Sequence, residues 1–205
     1  MSEGNSPPYT FKFLIVGDGG VGKTSIANRL CHHEFIDTTE STVGVEYLSY
    51  TLNVEDQQIK LQIWDTAGQE EYKALGKAYY RNAVGVLLVF AFNDEKSFEN
   101  ISAWLEDIRS LCNPNAQVLL IGNKFDLTEE KKIAQIQIDQ VKEANKLDFL
   151  ETSAKDDLNI EIAFRRLTEA ILQKVKKNEI NLQANYQQLK PQSEDARKNG
   201  CGCGK

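Results

Sequence analysis

At 205 residues the chain has room for one well-buried α/β domain and a tail, and it is too short for two ordinary domains. A hydrophobic content of 41% and a charged content of 26% are those of an ordinary globular chain. The net charge of −6 argues against a large basic face and sets nucleic-acid binding aside. Met1 to Pro8 is polar with no basic-then-apolar leader, and no run approaches the roughly 18 apolar residues of a membrane span, so the chain is expected in the cytosol.

The first apolar run, Phe11 to Val16, leads into Gly17-Asp18-Gly19-Gly20-Val21-Gly22-Lys23-Thr24, which fits G-x-x-x-x-G-K-[ST] at every fixed position. A helix-like stretch from Ser25 to Leu30 comes next, completing the strand, loop and helix that this phosphate-binding pattern requires. Glycines let backbone N–H groups crowd around a polyphosphate, and the helix N-terminus favours anions. Gly17, Gly19, Gly20, Val21, Gly22, Lys23, Thr24 and Ser25 are therefore candidate phosphate-binding residues. Lys23 is placed to reach the β- and γ-phosphates and the Thr24 hydroxyl to bind Mg²⁺.

From His32 to Gly44 the chain is polar and rich in Thr without helical period, a loop long enough to be functional. His32 and His33 have no neighbours at metal-ligand spacing and read as solvated loop residues. Glu46 to Val54 and Gln58 to Trp64 both alternate, and the short link Glu55-Asp56-Gln57 predicts an antiparallel hairpin. The second of these strands ends in Asp65-Thr66-Ala67-Gly68-Gln69. A carboxylate at a strand's C-terminal end lies where open α/β sheets bind ligands, so Asp65 is expected to hold Mg²⁺, Gly68 to meet a γ-phosphate and Gln69 to orient an attacking water.

Glu70 to Arg81 reads as an irregular helical segment, Ala83 to Phe90 as a central strand buried on both faces, and Ser97 to Leu111 as one amphipathic helix with Trp104 on the flank of its stripe. A further buried strand, Gln117 to Gly122, delivers Asn123-Lys124-Phe125-Asp126. A carboxylate at Asp126 accepts paired hydrogen bonds from N1–H and N2–H₂ of guanine, which adenine lacks, and adenine would leave it unpaired. Asn123 is expected to bridge base and phosphate loop, and the Lys124 stem to cover the ring. After a helix over 133–145, a short strand Asp148 to Glu151 leads to Thr152-Ser153-Ala154-Lys155, where backbone N–H groups of Ser153, Ala154 and Lys155 are candidates to bind guanine O6. A last helix, about 159–176, closes the alternation of strands and helices that marks a doubly wound sheet.

Of four cysteines, Cys31 and Cys112 lie far apart in the body and Cys201 and Cys203 at the end, which suggests neither a disulfide framework nor a zinc spacing. From Asn178 onward the chain is rich in glutamine and reads as a linker.

Together these motifs resemble the Ras-like small GTPases over residues 9–177, and Thr42-Val43-Gly44-Val45-Glu46-Tyr47, Trp64-Asp65-Thr66-Ala67-Gly68-Gln69-Glu70 and Tyr79-Tyr80-Arg81-Asn82-Ala83 are similar to the Rab branch. The resemblance implies a P-loop α/β fold: a six-stranded, mostly parallel sheet with one antiparallel edge strand and helices on both faces. It implies a flexible N-terminus at 1–8, a GTP-binding domain at 9–177 and a flexible tail at 178–205. Thr42 becomes a second Mg²⁺ ligand, Phe35 the aromatic against guanine, and Tyr47, Trp64 and Tyr79 an aromatic triad shown to effectors. Cys201 and Cys203 become geranylgeranylated, placing the protein on the cytoplasmic face of an internal membrane.

Exchange factors, GTPase-activating proteins, a GDP-dissociation inhibitor or escort protein and effectors are the implied partners of a monomeric core. The implied activity is Mg²⁺-dependent GTP hydrolysis to GDP in a switch serving membrane traffic, with a Ras-type signalling switch as the nearest alternative. A P-loop kinase or ATPase and a nucleotide-locked interaction module are the rivals outside this class. Gly19, Thr39, Glu71 and Ala91-Phe92-Asn93 depart from the usual Rab residues and leave hydrolysis rate and partner choice open.

Overall fold

The alternating and continuous apolar runs assemble into one sheet. The computed structural model describes residues 9–36, 42, 44–66 and 78–182. In chain order the elements are β1 (Tyr9–Val16), α1 (Lys23–His32), β2 (Val45–Val54), β3 (Gln57–Thr66), β4 (Gly85–Ala91), α2 (Glu95–Glu99), α3 (Ile101–Leu111), β5 (Gln117–Asn123), α4 (Gln135–Asn145), β6 (Asp148–Glu151) and α5 (Ile160–Lys176). The six strands lie in the order β2-β3-β1-β4-β5-β6. All neighbours run parallel except β2, the edge strand, which pairs antiparallel with β3. This is the doubly wound sheet with one antiparallel edge that the sequence predicts.

Because side chains alternate along a strand, β1 sends Phe11, Phe13 and Ile15 to one face and Leu14 and Val16 to the other. The first face is covered by Ile26, Ala27 and Leu30 of α1 and by Ile160, Phe164, Leu167 and Ile171 of α5. The rings of Phe13 and Phe164 stack there at 6.1 Å. The second face is covered by Ile101, Trp104, Leu105 and Ile108 of α3 and Ile138 of α4. β4 is buried along its whole length, as a central parallel strand covered on both faces must be. Ile180 is also buried and Leu182 packs against the first face, so packing runs beyond α5.

Three local features differ from the sequence expectation. The helix expected over 97–111 starts earlier, at Glu95, where Asp94 caps α2 through Ser97 N–H and the Ser97 hydroxyl donates to Asp94 O at 2.7 Å, and it is divided at Asn100 into α2 and α3. The hairpin link is two residues, since Val54 pairs directly with Gln57, and Glu55 and Asp56 both adopt positive φ as a type I′ turn requires. The helix expected from residue 133 starts at Gln135, leaving Ile133 buried in extended chain. α5 ties the hairpin down: Arg165 donates to Asn53 O at 2.8 Å, and Glu55 meets both Gln173 and Lys176.

This packing makes two predictions about stability. A Cβ on Gly85 would lie 2.7 Å from Phe13 Cε1 and 2.9 Å from Ile171 Cδ1, so Gly85→Ala should lower unfolding free energy by about 1–3 kcal/mol in urea denaturation. Lys12 on β1 donates to Arg81 O at 3.0 Å, and burial pulls its ammonium from 10.5 down to about 8 despite the nearby Cys112. The unfolded chain then holds that proton more tightly, so this residue's contribution to stability should rise as pH climbs from about 8 to 10.5. Cys31 and Cys112 act in the opposite sense at alkaline pH, because burial raises both thiols. Subtracting the curve of Lys12→Met from that of the natural chain isolates the lysine, and parallel curves would refute it.

Candidate functional site

The expected residues gather at the C-terminal edge of the parallel strands. The segment 17–22 runs from the end of β1 to the start of α1, and two close approaches explain its glycines. A Cβ on Gly17, at φ +142°, would sit 2.1 Å from Val89 O, and one on Gly22, at φ +94°, would sit 2.4 Å from Asn123 Nδ2. No other residue fits those backbone positions. Gly19 and Gly20 are exposed, Val21 is fully buried, and Ser25 is half-buried in the first turn of α1.

Lys23 is folded back under the loop, where its ammonium donates to Gly17 O at 2.9 Å and Asp18 O at 2.7 Å. Burial lowers it from 10.5 to about 8, with Asp65 and Asp18 opposing that shift. Both oxygens of the Asp18 side chain are engaged from α3 and its N-terminal junction, Oδ1 by Trp104 Nε1 at 2.7 Å and Oδ2 by Asn100 Nδ2 at 2.6 Å.

Thr24, Thr42 and Asp65 meet at the foot of this loop. The Thr24 hydroxyl donates to Asp65 Oδ2 at 2.5 Å and lies 2.7 Å from the Thr42 hydroxyl. Asp65 is fully buried and its Oδ1 has no partner among the described residues. Burial is the main cause that pushes this carboxyl from 3.8 up to about 6, while Thr24 and Lys23 pull it down. A buried carboxylate oxygen without a partner, flanked by two hydroxyls, is a donor set suited to a small hard cation such as Mg²⁺. Gly68 and Gln69 fall outside the described residues.

A second group stands at the ends of β5 and β6. Asn123 is buried, donating from Nδ2 to Val21 O at 2.9 Å and accepting from Thr152 Oγ1 at 3.1 Å. Lys124 is half-buried and turns the chain at φ +61°, and Asp126 accepts from Ser153 Oγ at 2.6 Å. Ser153 and Leu158 exchange both backbone bonds, which commits the Ser153 N–H expected at guanine O6 to Leu158 O and closes the loop that holds Ala154 and Lys155. Arg29 of α1 donates from Nε to Ala154 O at 2.8 Å and from Nη2 to Lys155 O at 3.0 Å. Since a trans peptide points its two polar groups in opposite directions, capture of Ala154 O turns the Lys155 N–H away from Arg29. The Arg29 guanidinium also stands 6.0 Å from the ring centre of Phe35.

Tyr47, Trp64 and Tyr79 form a row: Tyr47 and Trp64 pair across β2 and β3 with rings 5.2 Å apart, and Tyr79 lies a further 5.2 Å from Trp64. Lys12 Nζ is 4.9 Å from the Trp64 ring centre. Cys201 and Cys203 lie outside the described residues. Among the described residues no helix is long and apolar enough to cross a membrane.

In the sequence Trp104 reads as core alone, and Asp18, Asn100, Thr152 and Lys12 carry no sign of their roles. One signal is present: a buried indole needs an acceptor for its N–H.

A model of the Ras family matches residues 12–173. Over 166 residues the chain is 42% identical to Ras-related protein Rab-13 of Bos taurus, covering 81% of this chain and 82% of that protein. It is 42% identical over 173 residues to Ras-related protein RABA2a of Arabidopsis thaliana, covering 84% and 80%. With Ras-related protein Rab-2B of Dictyostelium discoideum the identity is 41% over 170 residues, covering 83% and 84%. These matches span the sheet, the phosphate loop and the Asn123–Asp126 turn, and with them the chain belongs to the Ras family of small GTPases, in its Rab branch.

Proposed function

We propose that this small GTPase is a Mg²⁺-dependent switch that binds GTP, hydrolyses it to GDP and phosphate, and serves membrane traffic. The observation that carries the reading is the Asn123 carboxamide, which joins Val21 of the phosphate loop to Thr152 beside the Ser153–Lys155 loop. One side chain thereby ties a phosphate cradle to a base-reading pair, Asp126 and Ser153, in a single rigid unit.

Lys23 and the backbone N–H groups of residues 19–25 hold the phosphates, and Thr24, Thr42 and Asp65 hold Mg²⁺. Held by these three side chains, Mg²⁺ would supply positive charge against the negative charge that spreads over the transferred phosphoryl group. Asp126 selects guanine through paired acceptors, the N–H groups of Ala154 and Lys155 bind O6, and Lys124 and Phe35 cover the ring. Gln69 orients water for in-line attack on the γ-phosphorus. The bond from that phosphorus to the β–γ bridging oxygen breaks, the water's proton passes to the phosphate product, and GDP remains. Thr42 and Gly68 lose their γ-phosphate contact at that moment, which releases both loops.

Arg29 is committed to carbonyl oxygens of its own fold, so it does not serve as an arginine finger and intrinsic turnover is slow. A GTPase-activating protein supplying one adds about 10³ to 10⁵ in rate. An exchange factor reloads GTP, and effectors read Tyr47, Trp64 and Tyr79. Geranylgeranyl groups on Cys201 and Cys203 attach the protein to the cytoplasmic face of an internal membrane. A GDP-dissociation inhibitor or escort protein moves it through the cytosol.

Single-turnover assays with GTP and ATP test the chemistry. The natural chain should bind and slowly hydrolyse GTP alone, Gln69→Ala should bind GTP but hydrolyse it more slowly, and Asp126→Ala should weaken GTP binding by about a hundredfold or more. Equal binding of ATP would overturn the guanine assignment. Mass spectrometry of the protein from its native cell should find a guanine nucleotide and two prenyl groups on the peptide bearing Cys201 and Cys203; an unmodified peptide would remove the membrane role and leave the enzyme.

A further inference from the structure

Asp18 is a carboxylate within the phosphate loop, the part of the chain that would face a polyanion. An unscreened carboxylate there would repel the phosphates, and in this structure neither of its oxygens is left unbound. Trp104 Nε1 donates to Oδ1 at 2.7 Å and Asn100 Nδ2 to Oδ2 at 2.6 Å. The two donors reach one carboxylate because Asn100 caps α3 and Trp104 stands four residues later, where helical geometry stacks side chains on one face. Ordinary four-residue helical bonds hold both residues on that face: the Asn100 N–H closes on Lys96 O at 3.1 Å, and its carbonyl accepts from Trp104 N at 3.2 Å. Trp104 is only 2% exposed, so its indole is fixed by the second-face core and its N–H has one direction to offer.

We propose that Asn100 and Trp104 are positioning residues for nucleotide retention, a strap from α3 that anchors the phosphate loop through Asp18. The proposal rests on the guanine-nucleotide reading. The anchored residue also presents the carbonyl that aims the Lys23 ammonium, so the strap acts on the phosphate-binding group through one residue. Its second effect is on the loop's backbone. Gly17, Gly20 and Gly22 all have positive φ and confer little stiffness, and the loop's later arm is held by the Asn123 bond to Val21. The strap holds the earlier arm, so the loop is pinned from β5 on one side and α3 on the other.

The test is release of a fluorescent GDP analogue from the full chain in Mg²⁺ with excess unlabelled GDP. Trp104→Phe keeps an aromatic ring in the core and removes the donor, and Asn100→Ala removes the other donor from a half-buried position. Each should speed release by about ten- to a hundredfold, because a carboxylate that loses a donor no longer holds the earlier arm of the loop in place. The double variant separates this role from packing. In the Asp18→Ala background, where no carboxylate needs a donor, Trp104→Phe should change release by less than about threefold.

Release from Trp104→Phe and Asn100→Ala at the natural rate would overturn the strap. So would an undiminished effect of Trp104→Phe in the Asp18→Ala background, which would make the tryptophan a packing residue. Failure of the natural chain to retain GDP would instead overturn the nucleotide reading, and the strap with it.

Discussion

The close approach of Gly22 to Asn123 is the constraint on which the site depends. A side chain at Gly17 or at Gly22 would collide, with Val89 O from the first and with Asn123 Nδ2 from the second. Contact at that distance lets Asn123 hydrogen-bond Val21 while its oxygen takes Thr152. β1 and β5 are separated in the sheet by β4, and the Asn123 side chain crosses that gap. The phosphate loop and the 152–155 loop are therefore positioned against each other by a buried polar side chain whose amide has partners at both ends, the condition under which such a group adds rigidity rather than cost.

Two buried charges stand beside that bridge. Lys23 and Asp65 are shifted in opposite directions by the same cause, loss of water, each toward its neutral form. Such an arrangement is unfavourable unless other groups compensate it. The ammonium has two carbonyls, but the carboxylate has one oxygen with a hydroxyl donor and one with no partner among the described residues. That electrostatic asymmetry suits a hard cation better than it suits a satisfied core. A similar logic operates at Arg29, whose guanidinium serves as a brace and so is not available to chemistry.

Most of the sheet was legible in the sequence because its signals are local: period two in β2 and β3, unbroken apolar runs in β4 and β5, and motifs standing at strand ends. What escaped was set by partners distant along the chain. Trp104 lies 86 residues from Asp18 and Arg29 lies 125 from Ala154, and neither separation leaves a trace in spacing. The break at Asn100 escaped for a different reason. Phe98, Ile101, Leu105 and Ile108 keep a helical period across it, since α2 and α3 bury the same face, and periodicity cannot see one residue that serves as C-cap of one helix and N-cap of the next. The pattern makes the hairpin link one residue too long because Glu and Asp are weak signals for a turn that usually asks for Asn and Gly.

β3 joins the nucleotide edge to the aromatic row by the shortest route a chain permits. Trp64 and Asp65 are successive residues, so their side chains leave opposite faces of the sheet. Asp65 goes to Thr24 and Thr42, and Trp64 goes to Tyr47 and Tyr79. The tryptophan also rests near the ammonium of Lys12 on the neighbouring strand, a contact that favours one ring orientation. A rearrangement that moved Asp65 would have to carry the Trp64 backbone with it, and the pairing of Tyr47 with Trp64 would pass the movement to the sheet edge. In the proposed switch, a change at the γ-phosphate therefore needs no long relay to be read outside: one peptide unit separates the residue that holds the metal from the ring that a partner meets.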